Sequence, residues 1–311
     1  MKGFVEFSIE RNDYVTGSDA ESFGKMMIVQ QDHIKNPPFL SVVIPTYNRP
    51  ELLKRAIKSV VMQNNSETIE IVVVDDSEVP LKRSDLFPMS RPNRYIKYIK
   101  NRDKLGPPLS RNVGIYNSDS KFVAFLDDDD EWFPDKTSLQ IEKLMKEKES
   151  PLSVCYSEDR RFQKVRISRP VDKIDRKTLL KSFNLSSTSS YIVKLDYLEK
   201  IKVDGHYFDP ELKSGQEYDL AIRLSEYGPI YTVPEILMIQ HSPSGGQISE
   251  NWNKKIAGMK SLSKKYWSEY TITEKLKTYG VINLFRLAKI PGVGNRIYNI
   301  IIPIKKIYES I

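Results

Sequence analysis

The stretch Phe122-Val123-Ala124-Phe125-Leu126-Asp127-Asp128-Asp129-Asp130-Glu131-Trp132 decides how the rest of the chain is read. A short apolar run rich in Val and Phe has the character of a buried strand. It ends abruptly in four consecutive aspartates. Unpaired buried carboxylates are very costly, so such a block inside a strand would be ruinous. At the carboxyl end of a parallel strand it is useful, because open α/β sheets bind their ligands there. Clustered hard oxygens suit Mg²⁺ or Mn²⁺, and such an ion can hold a diphosphate. The competing reading is a solvated acidic loop, the usual fate of a charge run. Position after a buried strand, with Trp132 and Pro134 closing the turn, favours the metal.

Upstream, Leu40 to Ile44 is a second buried strand, followed by the loop Pro45-Thr46-Tyr47-Asn48-Arg49. Pro50 suits the first position of a helix. Residues 50–63 carry Leu52, Leu53, Ala56, Ile57, Val60 and Val61 in two rows at spacing four. Ile69 to Val74 is a further strand that again ends in acids, Asp75-Asp76. This strand-helix-strand order is a βαβ unit with a right-handed crossover. Tyr95 to Ile99 reads as a strand, and Gly106-Pro107-Pro108 opens a helix bearing Arg111, Asn112 and Gly114. After the acid block, a helix over 136–149 is expected to turn Leu139, Ile141, Leu144 and Met145 inward.

Downstream the pattern is less regular. Leu152–Ser157 and Phe162–Ile167 read as paired strands, and Thr188–Val193 as another. Residues 216–227 form a helix with the stripe Leu220, Ala221, Leu224 and Tyr227. Ile230–Ile239 is extended, and His241 to Ser249 is a Gly/Ser loop. From Trp252 the chain reads helical and basic. Alternating strands and helices imply a mainly parallel sheet with covered faces.

Composition narrows the classes. At 311 residues the chain can bury a sizeable core. Its net charge is +7, but residues 251–311 hold twelve Lys/Arg against three Asp/Glu, and 1–250 are slightly acidic. The single Cys155 excludes a disulfide within the chain and a multi-cysteine zinc site. Neither a signal pattern in Met1 to Glu10 nor a bilayer-length apolar run is visible, so a cytoplasmic protein is expected.

Ser41-Val42-Val43-Ile44-Pro45-Thr46-Tyr47-Asn48-Arg49, Ile71-Val72-Val73-Val74-Asp75-Asp76-Ser77, Ser110-Arg111-Asn112-Val113-Gly114 and Phe125-Leu126-Asp127-Asp128-Asp129-Asp130 together resemble family-2 glycosyltransferases of the GT-A fold. Each motif alone is weak, whereas four in order are specific, and the resemblance covers about 39–249. It implies a Rossmann-like, mixed but mainly parallel sheet flanked by helices. It also implies transfer of a sugar from a nucleoside-diphosphate donor to an acceptor hydroxyl, with inversion and a divalent metal, Mn²⁺ or Mg²⁺. On the matching positions, Pro45, Thr46, Tyr47 and Arg49 would line the nucleotide pocket, with Tyr47 stacking on the base. Asp76 would accept from the base, Arg111 would approach the nucleotide, and Asp128 would lie near the ribose. Asp129 with Asp127 would hold the metal, the register inside the aspartate block being open by one residue. Tyr47 and Arg49 otherwise read as loop surface, and Arg111 as the partner of a nearby acid.

The resemblance places the general base in Gly215-Gln216-Glu217-Tyr218-Asp219, usually as an aspartate. Here spacing favours Glu217, which shares the inward stripe with Leu220, Ala221 and Leu224. The alternative role for Glu217 is helix capping. Asp219, four before Arg223, reads as a surface ion pair. His241 begins a stretch that resembles the family's loop over the donor phosphates, as a metal or phosphate ligand or a structural residue. No Gln-x-x-Arg-Trp motif of processive synthases is present.

The expected organisation is an extension over 1–38 of unknown role, a glycosyltransferase domain over 39–250 and a basic helical extension over 251–311. The domain divides into a nucleotide half, 39–135, and an acceptor half, 136–250. Expected partners are a nucleotide-sugar, most simply a UDP-sugar, and a glycan or lipid-linked acceptor. The basic stretch 271–311 either meets an anionic membrane at its inner face or packs on protein. The rival class is a non-catalytic binder of nucleotide-sugar or nucleic acid, but no nucleic-acid motif appears.

Overall fold

The computed structural model describes residues 26–31, 37–86, 91–160, 165–181, 185–212, 214–241 and 252–287. The first half runs β1 (Met26–Gln31), β2 (Leu40–Thr46), α1 (Pro50–Val61), β3 (Ile69–Asp75), α2 (Arg83–Leu86), β4 (Arg94–Asn101), α3 (Pro107–Tyr116), β5 (Phe122–Phe125), β6 (Asp130–Trp132) and α4 (Lys136–Lys146). The second half runs β7 (Leu152–Asp159), β8 (Arg166–Ser168), β9 (Lys173–Ile174), α5 (Arg176–Lys181), β10 (Ile192–Lys194), α6 (Leu195–Lys200), α7 (Gln216–Leu224), β11 (Ile230–Gln240), α8 (Trp252–Lys265) and α9 (Ile272–Leu287).

Among the described residues the strands form one mixed sheet, ordered β1-β4-β3-β2-β5-β10-β7-β11-β6. β4, β3, β2 and β5 are parallel neighbours, the arrangement expected of the nucleotide half. β10 joins β5 to β7 by antiparallel pairing, and β11 lies parallel to β7. The alternation of strand side chains feeds two cores. Val43, Val72, Val74, Val123 and Phe125 face Val113 of α3 and Leu220, Ala221 and Leu224 of α7. Val42, Ile44, Ile71, Val73 and Leu126 face Leu53, Ala56, Ile57 and Val60 of α1, and Ile141 and Leu144 of α4. Burial on both faces explains why these strands read as continuous apolar runs.

Several local expectations are corrected. The segment before residue 39 supplies β1, an antiparallel edge strand on β4. Met145 is exposed, because α4 turns Ile141 and Leu144 inward and ends at Lys146. Tyr227 is likewise exposed, beyond the end of α7 at Leu224. Thr188–Ser190 is a 3-10 turn that delivers the chain into β10 rather than part of a strand. The core also continues past residue 250, since Leu262, Tyr266 and Tyr270 join the α7 side of it.

α3 lies close on β2 at Gly114, where an added Cβ would stand 2.2 Å from Val43 Cγ1. Gly114→Ala should therefore destabilise the fold by about 1–3 kcal/mol. At this chain length each kcal/mol lowers the melting temperature by roughly 2–4 °C, which a thermal melt would register.

Candidate active site

The parallel strands end together, and their carboxyl ends carry the site. β5 gives way to Asp127, and the chain turns immediately into β6. Asp128 and Asp130 are buried, whereas Asp127 and Asp129 are half-buried. The block is therefore not a solvated acidic loop. Positive and polar groups converge on it from four directions. Thr46 Oγ1 donates to Asp128 at 2.8 Å. Arg49 Nη1 lies 3.3 Å from carboxylate oxygens of both Asp128 and Asp129. Arg55 of α1 donates to the Asp129 carbonyl at 2.6 Å. Arg111 of α3 pairs with Asp127 at 2.5 Å. From the 3-10 turn, Ser189 Oγ accepts from the Asp127 N–H at 3.0 Å and donates to Asp130 at 2.6 Å.

This crowding acts on the acids themselves. Burial, then the neighbouring charges of Asp129 and Asp127, push Asp128 up to about 6 against the opposing Thr46 and Arg49 contacts. Asp129 is raised too, chiefly by burial and then by Asp127. Asp127, Asp129 and Asp130 each offer a carboxylate oxygen, all within 4.8 Å of one another. An all-oxygen donor set of this charge fits Mg²⁺ or Mn²⁺. Asp130 is the member that the sequence left open through the ambiguous register. His241 sits apart from this trio: pairing of Gln240 with Asp130 brings it alongside, but its Nε2 lies 3.1 Å from Glu131.

The residues expected to meet a nucleotide lie on β2, β3 and the loop after β4. Pro45 and Thr46 close β2, and Asn48, in a left-handed conformation, is fixed by its N–H to Ser77 Oγ at 2.8 Å. The Tyr47 ring lies under Lys104 Nζ, 3.5 Å from its centroid. Asp76 accepts from Asn101 Nδ2 (2.6 Å), the Gly106 N–H (2.7 Å) and Ser110 Oγ (3.0 Å), tying β4 to the start of α3. A carboxylate has about four acceptor positions, so this leaves roughly one for a ligand. Asn112, next to Arg111, is a positioning residue that the motif did not explain. Its Nδ2 donates to the Phe208 carbonyl at 2.8 Å, and its Oδ1 accepts from the Tyr207 and Phe208 N–H groups.

The first turn of α7 carries the remaining candidate acid, Glu217. Glu217 is half-buried, and burial raises its pKa above the usual glutamate range. The charge of Arg111 opposes that shift and Asp127 adds to it, so Glu217 lies within electrostatic reach of both. Asp219 corrects the sequence reading: its pairing with Arg223 at 2.9 Å is real, but the carboxylate is fully buried. Lys265 at 2.8 Å and Tyr266 Oη at 2.7 Å reach it from α8 and its C-terminal end, contacts that helix periodicity alone does not reveal. α8 also approaches the residue before this turn closely, and a Cβ on Gly258 would stand 2.0 Å from Ser214 Oγ. Residues 242–250, the rest of the expected histidine loop, lie outside the described residues.

A mixed sheet whose carboxyl edge holds an Asp-x-Asp cluster beside a basic nucleotide-side wall is the architecture of GT-A glycosyltransferases. The chain belongs to glycosyl transferase family 2, whose model matches residues 41–198. It is similar to a protein of Escherichia coli K12 named for a glycosyl transferase of colanic acid biosynthesis, WcaA. The two are 28% identical over 265 residues, covering 82% of this chain and 90% of that one. A Campylobacter jejuni GalNAc(5)-diNAcBac-PP-undecaprenol beta-1,3-glucosyltransferase is 38% identical over 107 residues, 34% of each chain. Among solved structures, the Pyrobaculum calidifontis mannosyltransferase PcManGT, in complex with GDP-Man and Mn²⁺, superposes with TM-score 0.58 at 13% identity. That match covers 89% of this chain and 83% of the other. S. aureus TarS with UDP-GlcNAc gives TM-score 0.55 at 19% identity, over 72% of this chain and 66% of that one. These likenesses show the GT-A fold.

Because the folded Asp128 pKa of about 6 exceeds the ordinary 3.8, the native state holds this proton more tightly than the unfolded chain. Its ionisation therefore lowers stability as pH rises from about 4 through 6, by up to about 3 kcal/mol above that window. Asp128→Asn in metal-free buffer should melt several degrees higher than the parent at pH 7. The gap should close as pH falls below about 4, where both forms are neutral at this position.

Proposed function

We propose that the protein is an inverting hexosyltransferase that moves one sugar per encounter from a UDP-sugar to an acceptor hydroxyl. The observation that carries this reading is the cluster of Asp127, Asp129 and Asp130 at the carboxyl end of β5, partly neutralised by Arg49, Arg55 and Arg111, with Glu217 within electrostatic reach of it. The nucleotide would lie along Pro45, Thr46, Tyr47 and Arg49, its base on Tyr47 and its imide on the remaining acceptor position of Asp76. Asp128 would lie near the ribose and Arg111 near the diphosphate. Asp127, Asp129 and Asp130 would hold Mn²⁺ or Mg²⁺, with His241 as a ligand of the donor phosphates or of the ion. When bound there, such an ion neutralises charge on the departing diphosphate.

In the transfer step, Glu217 takes the proton of the acceptor hydroxyl while that oxygen bonds to the anomeric carbon. The bond from that carbon to the diphosphate oxygen breaks with its electron pair leaving on the diphosphate. Attack opposite the leaving group inverts the anomeric configuration. A raised Glu217 pKa suits this work, because a base is most effective when its pKa approaches the working pH. The acceptor is a glycan or lipid-linked glycan of the cell surface, as the names of the E. coli and C. jejuni relatives support. The enzyme would meet it from the cytoplasmic side, peripherally on the inner membrane face. Among the described residues no helix is long and apolar enough to cross a membrane.

Thermal shift with a panel of nucleoside diphosphates, each with and without Mn²⁺, tests the donor site. A ligand at a hundred times its dissociation constant adds about 2.7 kcal/mol, roughly 2–4 °C for each kcal/mol. The expected result is a shift that one base gives and that needs the metal; no shift with any nucleotide would sink the donor reading. Glu217→Gln should retain that shift and lose transfer, whereas equal turnover would remove Glu217 from the mechanism. For the parent, kcat/KM should fall on the acid side at a pH above the usual glutamate range, since only ionised Glu217 accepts the proton.

A further inference from the structure

A second surface has a composition that packing within this fold does not explain. α9 begins with a capping box at Thr271-Ile272-Thr273-Glu274. Glu274 accepts from the Thr271 N–H at 2.7 Å, and its own N–H donates to Thr271 Oγ1 at 3.3 Å. That cap fixes the rotation of the helix. Glu274 and Ile282 are buried on the row facing α8. On the outward row, Ile272, Leu276 and Tyr279 are 78%, 68% and 57% exposed. A helix of a water-soluble protein normally turns its apolar stripe inward, and α9 does the reverse along this row.

The surroundings extend the patch. Trp267, also exposed, meets Tyr279 edge-on with ring centroids 5.7 Å apart. Lys275 Nζ lies 4.8 Å over the Trp267 ring. Lys260 and Lys264 of α8 join Trp267, Tyr279 and Ile282 along a cleft of about 370 Å³. Exposed apolar patches of this kind mark interaction sites. The chemistry here is apolar side chains with indole and phenol rings, rimmed by lysines. Trp and Tyr favour the membrane–water boundary, and lysines favour anionic headgroups.

We propose that the outward face of α8 and α9 seats on an anionic phospholipid bilayer. Ile272, Leu276, Tyr279 and Trp267 enter the interface, and Lys260, Lys264 and Lys275 meet the headgroups. A second copy of the chain is the poorer occupant, because two-fold pairing of this face would set lysines against lysines. The seat is fixed to the helix that carries Glu217, since Lys265 and Tyr266 bind Asp219 two residues further along it. It deepens the acceptor reading above and rests on it for a membrane-borne acceptor.

The full chain should sediment with phosphatidylglycerol–phosphatidylcholine vesicles, less so with phosphatidylcholine alone, and should be released by salt. The double variant Ile272→Asp, Leu276→Asp should bind roughly tenfold or more weakly. Its melting temperature should be unchanged, because both side chains are exposed. Lys260→Glu with Lys264→Glu should lose the preference for anionic vesicles. Failure of the parent to sediment, or undiminished sedimentation of the Asp double variant, would overturn the proposal. So would a parent dimer that this variant splits, which would give the face to a second copy. No donor is present in the vesicle assay, so its failure and failure of the nucleotide shift are read separately.

Discussion

The constraint on which the rest of the structure depends is the cost of crowding carboxylates at the end of a sheet. Two unit charges a few ångströms apart, partly withdrawn from water, interact by several kcal/mol. Asp127 to Asp130 must therefore bring their counter-charges with them. Arg49 comes from the β2 loop, Arg55 from α1 and Arg111 from α3, so three separate elements each contribute one. Even so, burial first and mutual repulsion second make Asp128 and Asp129 ionise less readily than free aspartates. A divalent cation held by Asp127, Asp129 and Asp130 would relieve the repulsion.

Around that cluster the other polar residues act mainly as fasteners. Asp76 holds the end of β4 to the first turn of α3. Asn112 holds α3 to the Tyr207–Phe208 loop. Ser189 holds the acid block to the 3-10 turn, and its carbonyl accepts from Trp132 Nε1 at 2.9 Å. Each joins elements distant in sequence, and each lies within a few residues of a group assigned to donor or acceptor. Precision at the site thus comes from side chain–backbone bonds made at its margin.

What could be read in advance follows a physical line. β2, β3 and β5 are buried on both faces, and their Val- and Ile-rich runs announce it. α1, α4 and α7 are amphipathic, so spacing identifies their inward sides. The acid block stood out because its charge has no place inside a strand. β1 escaped because a short edge strand needs only one neighbour and carries a weak pattern. Asp219 was misplaced because its burial depends on Lys265 and Tyr266, far along the chain. Ser189 was missed and Asp130 left open for a related reason. A serine in a turn has no periodicity, and the pairing of Asp130 with Gln240 is a matter of sheet register.

The cluster of buried Asp219, Arg223 and Tyr266, which Lys265 joins from the surface, also bears on how enzymes of this kind can be recombined. A hydrogen-bonded ion pair tolerates replacement as a whole far better than loss of one member, which strands the remaining charge in a dry environment. α7 and α8 are therefore a single inheritable unit, although they are separate in sequence. A chimera that borrows the segment around α7 from another enzyme must take that enzyme's matching C-terminal helix with it. Natural exchange of acceptor specificity would be expected to break the chain elsewhere, where no buried charge spans the joint.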